Sequence, residues 1–128
     1  MDSGVEVDTA KVRASLDRLA SRFPNEVARA LYEEAQIEMT EAKRRTPVKT
    51  GALRSTGHVD DPTVSFGGDI SVTLGFGGPA APYAVKVHED MDAFHRVGQS
   101  KYLESVIMES RPYMAARIAR RIQLERLL

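Results

Sequence analysis

The sequence has no cysteine, which excludes disulfides, thiolate metal sites and cysteine nucleophiles together. It also has no net charge, because Lys plus Arg and Asp plus Glu each total 18. Without an overall field, nothing in the charge balance draws the chain to nucleic acid or to an anionic membrane. Residues 1–9 hold three acidic side chains and no apolar run, so no signal peptide is expected there. No stretch approaches the length of a transmembrane helix, and internal repeats and low-complexity segments are absent.

What is present suits one modest core. At 128 residues and 42% hydrophobic content, the chain reads as a single domain over 1–128, with residues 1–7 expected as a flexible lead. So short a chain leaves much of its apolar surface uncovered, and packing against other subunits is a natural way to complete the core. The charge is unevenly spread: residues 99–128 carry six basic and three acidic side chains, whereas 46–98 carry four and six.

Periodicity divides the chain. Val12, Leu16, Leu19 and Phe23 recur at helical intervals, with Asp8 or Thr9 as candidate caps. Pro24 disfavours helical geometry at Phe23 but suits the first turn of a second helix, continued by Val27, Leu31, Ala35, Met39 and Ala42. That helix ends at Lys43, Arg44 and Arg45, whose charges complement the carbonyls of the last turn just before Pro47. The period then changes to two over Ile70–Phe76 and over Tyr83–His88, predicting strands. Gly67 and Gly68 predict a hairpin between 63–66 and the Ile70 strand. Gly75, Gly77, Gly78, Pro79 and Pro82 predict a projecting loop over 76–82. Residues 89–99 show no period and are expected to form a loop. A helical stripe restarts at Leu103, Val106 and Ile107, meets Pro112 and resumes at Met114, Ile118 and Ile122, predicting two helices with a kink near Ser110. The fold class is therefore α+β: helices over 8–45, a corner at 46–54, an antiparallel sheet of three to four strands within 55–88, and helices over 100–127, with the N- and C-terminal helices packed on the sheet.

The corner explains itself residue by residue. Pro47 stops the helix, Thr50 can accept a hydrogen bond from the Leu53 amide, Gly51 relaxes the backbone, and Leu53 can tuck under the sheet. Taken alone it is a well-made helix-to-strand turn, because turn chemistry of this kind is common.

The order of motifs adds more. A basic helix end, then Pro47, Thr50, Gly51, Leu53 and Arg54, then strands, then Tyr83, His88 and Glu89, then Gly98-Gln99 and Lys101-Tyr102-Leu103 opening the last helix resembles the small tail-component proteins of long-tailed bacteriophages. These are variously called tail completion, minor tail or head-tail joining proteins, and the resemblance spans about residues 8–122. It implies a structural virion protein of the neck or tail: a homo-oligomeric ring, hexameric or dodecameric, joining a head-side connector or stopper to a tail terminator. DNA would pass through its lumen without specific binding, with assembly in the host cytoplasm and no membrane contact. It implies no catalytic, cofactor-binding or metal site. The motif residues are then structural, and the surfaces expected to meet partners are Phe76, Gly77, Gly78 and Pro79 in one loop and Asp90, Met91, Phe94 and His95 in the other. Where many relatives carry Gly-Thr after the glutamate, this chain has Asp90-Met91, so that loop docks in its own way.

Three alternatives compete. His88, Glu89, Asp90, Asp92 and His95 gather imidazoles and carboxylates suited to zinc or manganese, and so to a metal-dependent hydrolase, but at a spacing that matches no metal motif. His58 and Asp60 stand near one another beside Ser55, Ser65 and Ser71, none of which occupies a strained nucleophile elbow. Arg117, Arg120, Arg121 and Arg126 offer a sequence-independent DNA-binding module, although no aromatic interleaves them, and a solvated helix face or subunit contact is the simpler reading.

Overall fold

The computed structural model describes residues 9–46, 54–65, 69–77, 83–87, 94–96 and 101–127. Helix α1 (Thr9–Arg22) is followed directly by α2 (Pro24–Arg45). The joint is the residue before proline: Phe23 takes φ −135° and ψ 61°, outside the helical region, while its carbonyl accepts from Val27 N–H at 3.1 Å to start α2. Proline sits in the first turn, where the missing N–H goes unused. The same rule acts at the other end. Thr46, before Pro47, is extended at φ −74° and ψ 127°, and it closes α2 by donating from its amide to Lys43 O and from Oγ1 to Ala42 O. Asp8, one of the two candidate caps of α1, lies outside the described residues.

The sheet is antiparallel, with five short strands: β1 (His58–Val59), β2 (Thr63–Val64), β3 (Ile70–Gly75), β4 (Tyr83–Val87) and β5 (Phe94–Arg96). β1 and β2 both pair with β3, so the strands occupy four rows. The break between β1 and β2 is a bulge. Val59 opposes Leu74 and Thr63 opposes Ser71, which leaves residues 60–62 facing only 72–73. Asp60 still donates to Thr73 O at 2.8 Å, but Pro62 has no N–H to offer and pairing resumes one residue out of step. The predicted hairpin is β2–β3, held by Ser65 N–H to Asp69 O at 2.8 Å; its glycines lie outside the described residues.

The stretch 89–99, expected as a loop, contains β5, which pairs with β4 through Tyr83↔Arg96, Ala84↔His95 and Val85↔Phe94. Three residues are too few to show a period of two, so nothing local marked them, and the strand exists through its pairing with β4. A second correction concerns the C-terminus. It is one continuous helix, α3 (Lys101–Leu127), with Pro112 inside it. Met108, Pro112 and Tyr113 are exposed, so the carbonyl that proline fails to satisfy can be hydrated. The buried stripe of Leu103, Val106, Ile107, Met114, Ile118 and Ile122 carries the helix on past the proline against its neighbours.

α2 is the centre of the molecule. Its buried residues include Val27, Leu31, Ala35, Met39 and Ala42, and it packs on β3 from one side and on α3 from the other. α3 lies chiefly against α2 and α1. The alternating burial of β3, with Ile70, Val72 and Leu74 fully buried and Ser71 and Thr73 half-exposed, shows that the helices cover one face of the sheet.

Candidate assembly surfaces and the ionic seam

The corner is closed by its own first and last residues. Arg54 reaches back over eight residues to donate from Nη2 to Thr46 O at 2.6 Å, while Arg54 O accepts from Gly57 N–H at 3.2 Å. Gly57 lies so close under α2 that a Cβ there would stand 2.6 Å from Lys43 Cε and 2.9 Å from both Met39 Sδ and Phe76 Cε1. Next to it, Thr56 Oγ1 accepts from Gly77 N–H at 2.9 Å, and Gly77 has φ +91°, a conformation glycine adopts without strain. The corner is thus tied to the start of the 76–82 loop.

Among the residues singled out in the sequence, Phe76 packs half-buried against the core and Gly77 is exposed. Arg54 is the corner clamp. Tyr83 stands in β4 opposite Leu74 and Arg96, and Phe94 and His95 are in β5, in the register rows of Val72 and Thr73 respectively. Pro47, Thr50, Gly51, Leu53, Gly78, Pro79, His88, Glu89, Asp90 and Met91 lie outside the described residues, and with them the proposed Thr50 cap and most of the His/Asp/Glu cluster. His58 Nε2 is 3.9 Å from Asp60 Oδ1, and its Nδ1 is 3.0 Å from Thr56 O. The sequence left unmarked the large apolar side chains exposed by about half, Ile37 on α2 and Met108 and Tyr113 on α3, with Val64 at the sheet edge.

A polar seam joins α2 to α3. Glu34 and Glu38, one turn apart on α2, are 1% and 3% exposed. Arg117 donates to Glu34 Oε2 at 2.8 Å and to Glu38 Oε2 at 3.2 Å, and Ser110 donates to Glu38 Oε1 at 2.7 Å. Arg121 lies 3.6 Å from Glu34 and from Glu33 and donates to Ala30 O at 3.2 Å. Burial, followed by the hydrogen bond shared with Glu34, pushes the Glu38 carboxyl up to about 8. Burial pushes Glu34 in the same direction but is outweighed by hydrogen bonds from Glu38 and Arg117 and by both guanidinium charges, so its carboxyl is lowered. Nearer the corner, Arg45 grips Glu109 with two bonds of 2.9 and 2.7 Å and also meets Glu41 at 2.9 Å. A groove of about 350 Å³ runs along the seam between Ile37, Glu38 and Glu41 on one side and Val106, Ser110 and Arg117 on the other.

The seam changes the reading of two of the C-terminal arginines, Arg117 and Arg121, while Arg120 is exposed as a solvated face requires. Arg117 and Arg121 are engaged within the chain, and the signal for this was a matched one: two glutamates one turn apart inside the apolar stripe of α2, and two arginines one turn apart flanking Ile118 and Ile122.

These features define a small α+β domain held by one core, a clamped corner and an ionic helix seam. The family model described as "Bacteriophage HK97-gp10, putative tail-component" matches residues 10–104, well over half of the chain. The chain belongs to this HK97-gp10-like family. No curated protein and no solved structure matches it. Membership gives it a structural role as a phage tail component, a place in the virion, and other phage tail proteins as partners. Among the described residues, no helix is long and apolar enough to cross a membrane.

Proposed function

We propose that this chain is a neck or tail-completion protein that works by shape. It is one copy in a homo-oligomeric ring, hexameric with dodecameric as the variant, that encircles the DNA channel and joins a head-side connector or stopper to a tail-side terminator. It carries no catalytic site and is assembled in the host cytoplasm. The family match over residues 10–104 carries the reading. The clamped corner supports it, because Arg54–Thr46 and Thr56–Gly77 fix the base of the 76–82 loop to a packed core, as a loop that must meet a neighbouring ring requires. The sheet edges support it too: the β1–β2 edge is interrupted by its bulge and proline, whereas β5 is the outermost strand on the other side of the described sheet, where a neighbour's strand could pair.

Imaging of whole particles by electron microscopy tests the position. The expected result is closed-ring density for this chain between portal and tail tube. Density confined to the tail tip, or spread along the tube, would leave the tail role standing and remove the neck role.

A further inference from the structure

We propose that the seam between α2 and the C-terminal half of α3 is a latch, held by the contacts of Arg117 with Glu34 and Glu38 and opening about Pro112, while Ser110, on the anchored side of the proline, keeps its bond to Glu38. The two halves of α3 are anchored differently. Before the proline, Leu103, Val106 and Ile107 are buried and Glu109 is gripped by Arg45 on the exposed side of the seam. After it, Met114, Ile118 and Ile122 are buried beside a polar cluster in which two nearly inaccessible carboxyls face one close guanidinium. Pro112 separates the halves because it offers no N–H to the carbonyl four residues back, so the helical ladder lacks a rung there.

The cluster is balanced only while one carboxyl holds a proton. Glu38 faces Glu34 on its own helix and Ser110 and Arg117 from α3; Arg121 and Glu33 complete the set one turn away. Glu34 Oε1 accepts no hydrogen bond among the described residues and has only Arg121, at 3.6 Å, for compensation. A second buried negative charge on Glu38 therefore has no partner of its own, and a buried charge left uncompensated is strongly destabilising. Opening about Pro112 returns both carboxylates to water. The groove along the seam is lined by Glu38, Ser110 and Arg117, so the proton can exchange with solvent while the latch is shut.

The sign follows from linkage. Glu38 holds its proton up to about 8 when buried, against an ordinary value of 4.5. Opening thus releases a proton between those limits, becomes easier as pH rises through them, and levels off above. What opening exposes is an apolar stripe of Met114, Ile118 and Ile122, a face that a neighbouring subunit could cover and that the closed form hides. This inference goes beyond the tail reading and does not depend on it.

Amide hydrogen exchange on the full chain, expressed as protection factors at intervals from pH 5 to pH 9, tests the latch. Protection over 113–123 should fall by up to about tenfold per pH unit until pH 8 and then level off, while 101–111 changes less. Glu38→Gln, which keeps the neutral hydrogen bonding, should abolish the fall. Ser110→Ala removes a bond that lowers the Glu38 value and should move the levelling point to higher pH. An equal fall in both halves of α3, or the same profile in Glu38→Gln as in the parent, would overturn the latch. Should Glu38→Gln not fold, an unmoved levelling point in Ser110→Ala would overturn it independently.

Discussion

Gly57 shows how closely the corner is fitted to the helix above it. Its neighbours at the Cβ position are the flexible ends of Lys43 and Met39 and the rigid ring edge of Phe76. The first two can move aside; the ring, wedged against the core, can do so only by shifting the start of the 76–82 loop. Gly57→Ala should therefore lower stability by about 1–3 kcal/mol, in the range of overpacking substitutions. Thermal unfolding of the variant checks this, and an unchanged midpoint would mean that the contact relaxes without strain. Nothing in the sequence marked this glycine, because close approach is a tertiary fact. Arg54 differs in degree: its place at the end of the Thr46–Arg54 motif was legible, but its bond to Thr46 O required the chain to double back. The buried Glu34 and Glu38 are a third case, where the i,i+4 spacing was visible yet pointed equally well to a solvated face until α3 supplied the matching arginines.

At the scale of elements, the strongest local rules were the legible ones. The α1–α2 joint at Phe23-Pro24 and the end of α2 at Arg45 both follow from the steric demand of proline on the residue before it, which operates whatever surrounds it. Pro112 obeys the same local chemistry but loses to packing, since the apolar stripe on either side of it binds α3 to α1 and α2 as one helix. β5 was illegible for the opposite reason, as a three-residue strand exists only through the partner it pairs with. The proline retains its energetic effect even where it does not break the helix. Pro112→Ala restores an N–H donor and a favourable helical residue, so α3 should gain stability, by up to about 3 kcal/mol if the parent helix carries the full penalty of an interior proline. The gain should appear as a raised unfolding midpoint and, because Pro112 is the hinge of the proposed latch, as greater protection over 113–123. A lowered midpoint would show that the proline ring packs usefully where it stands.

The behaviour of the whole molecule towards DNA depends on charges already committed within it. The net charge is zero and the six basic residues of 99–128 face three acidic ones, an excess that reads in the sequence as a weak basic tail. In the folded chain Arg117 and Arg121 pair with Glu34, Glu38 and Glu33, so a large part of that excess is spent internally. Binding to phosphates by these two arginines would require breaking the seam and leaving two buried carboxyls without their cationic partners, which opposes association at every salt concentration. The purified chain should therefore show no retention on duplex DNA even at low ionic strength, and Arg120→Ala, which changes an exposed arginine outside the seam, should leave the result unaltered. Retention that falls steeply as salt is raised is the signature of phosphate contacts and would support the DNA-binding alternative instead. Its absence would accord with the ring proposed above, since a lumen wall that held phosphates tightly would resist the passage of DNA.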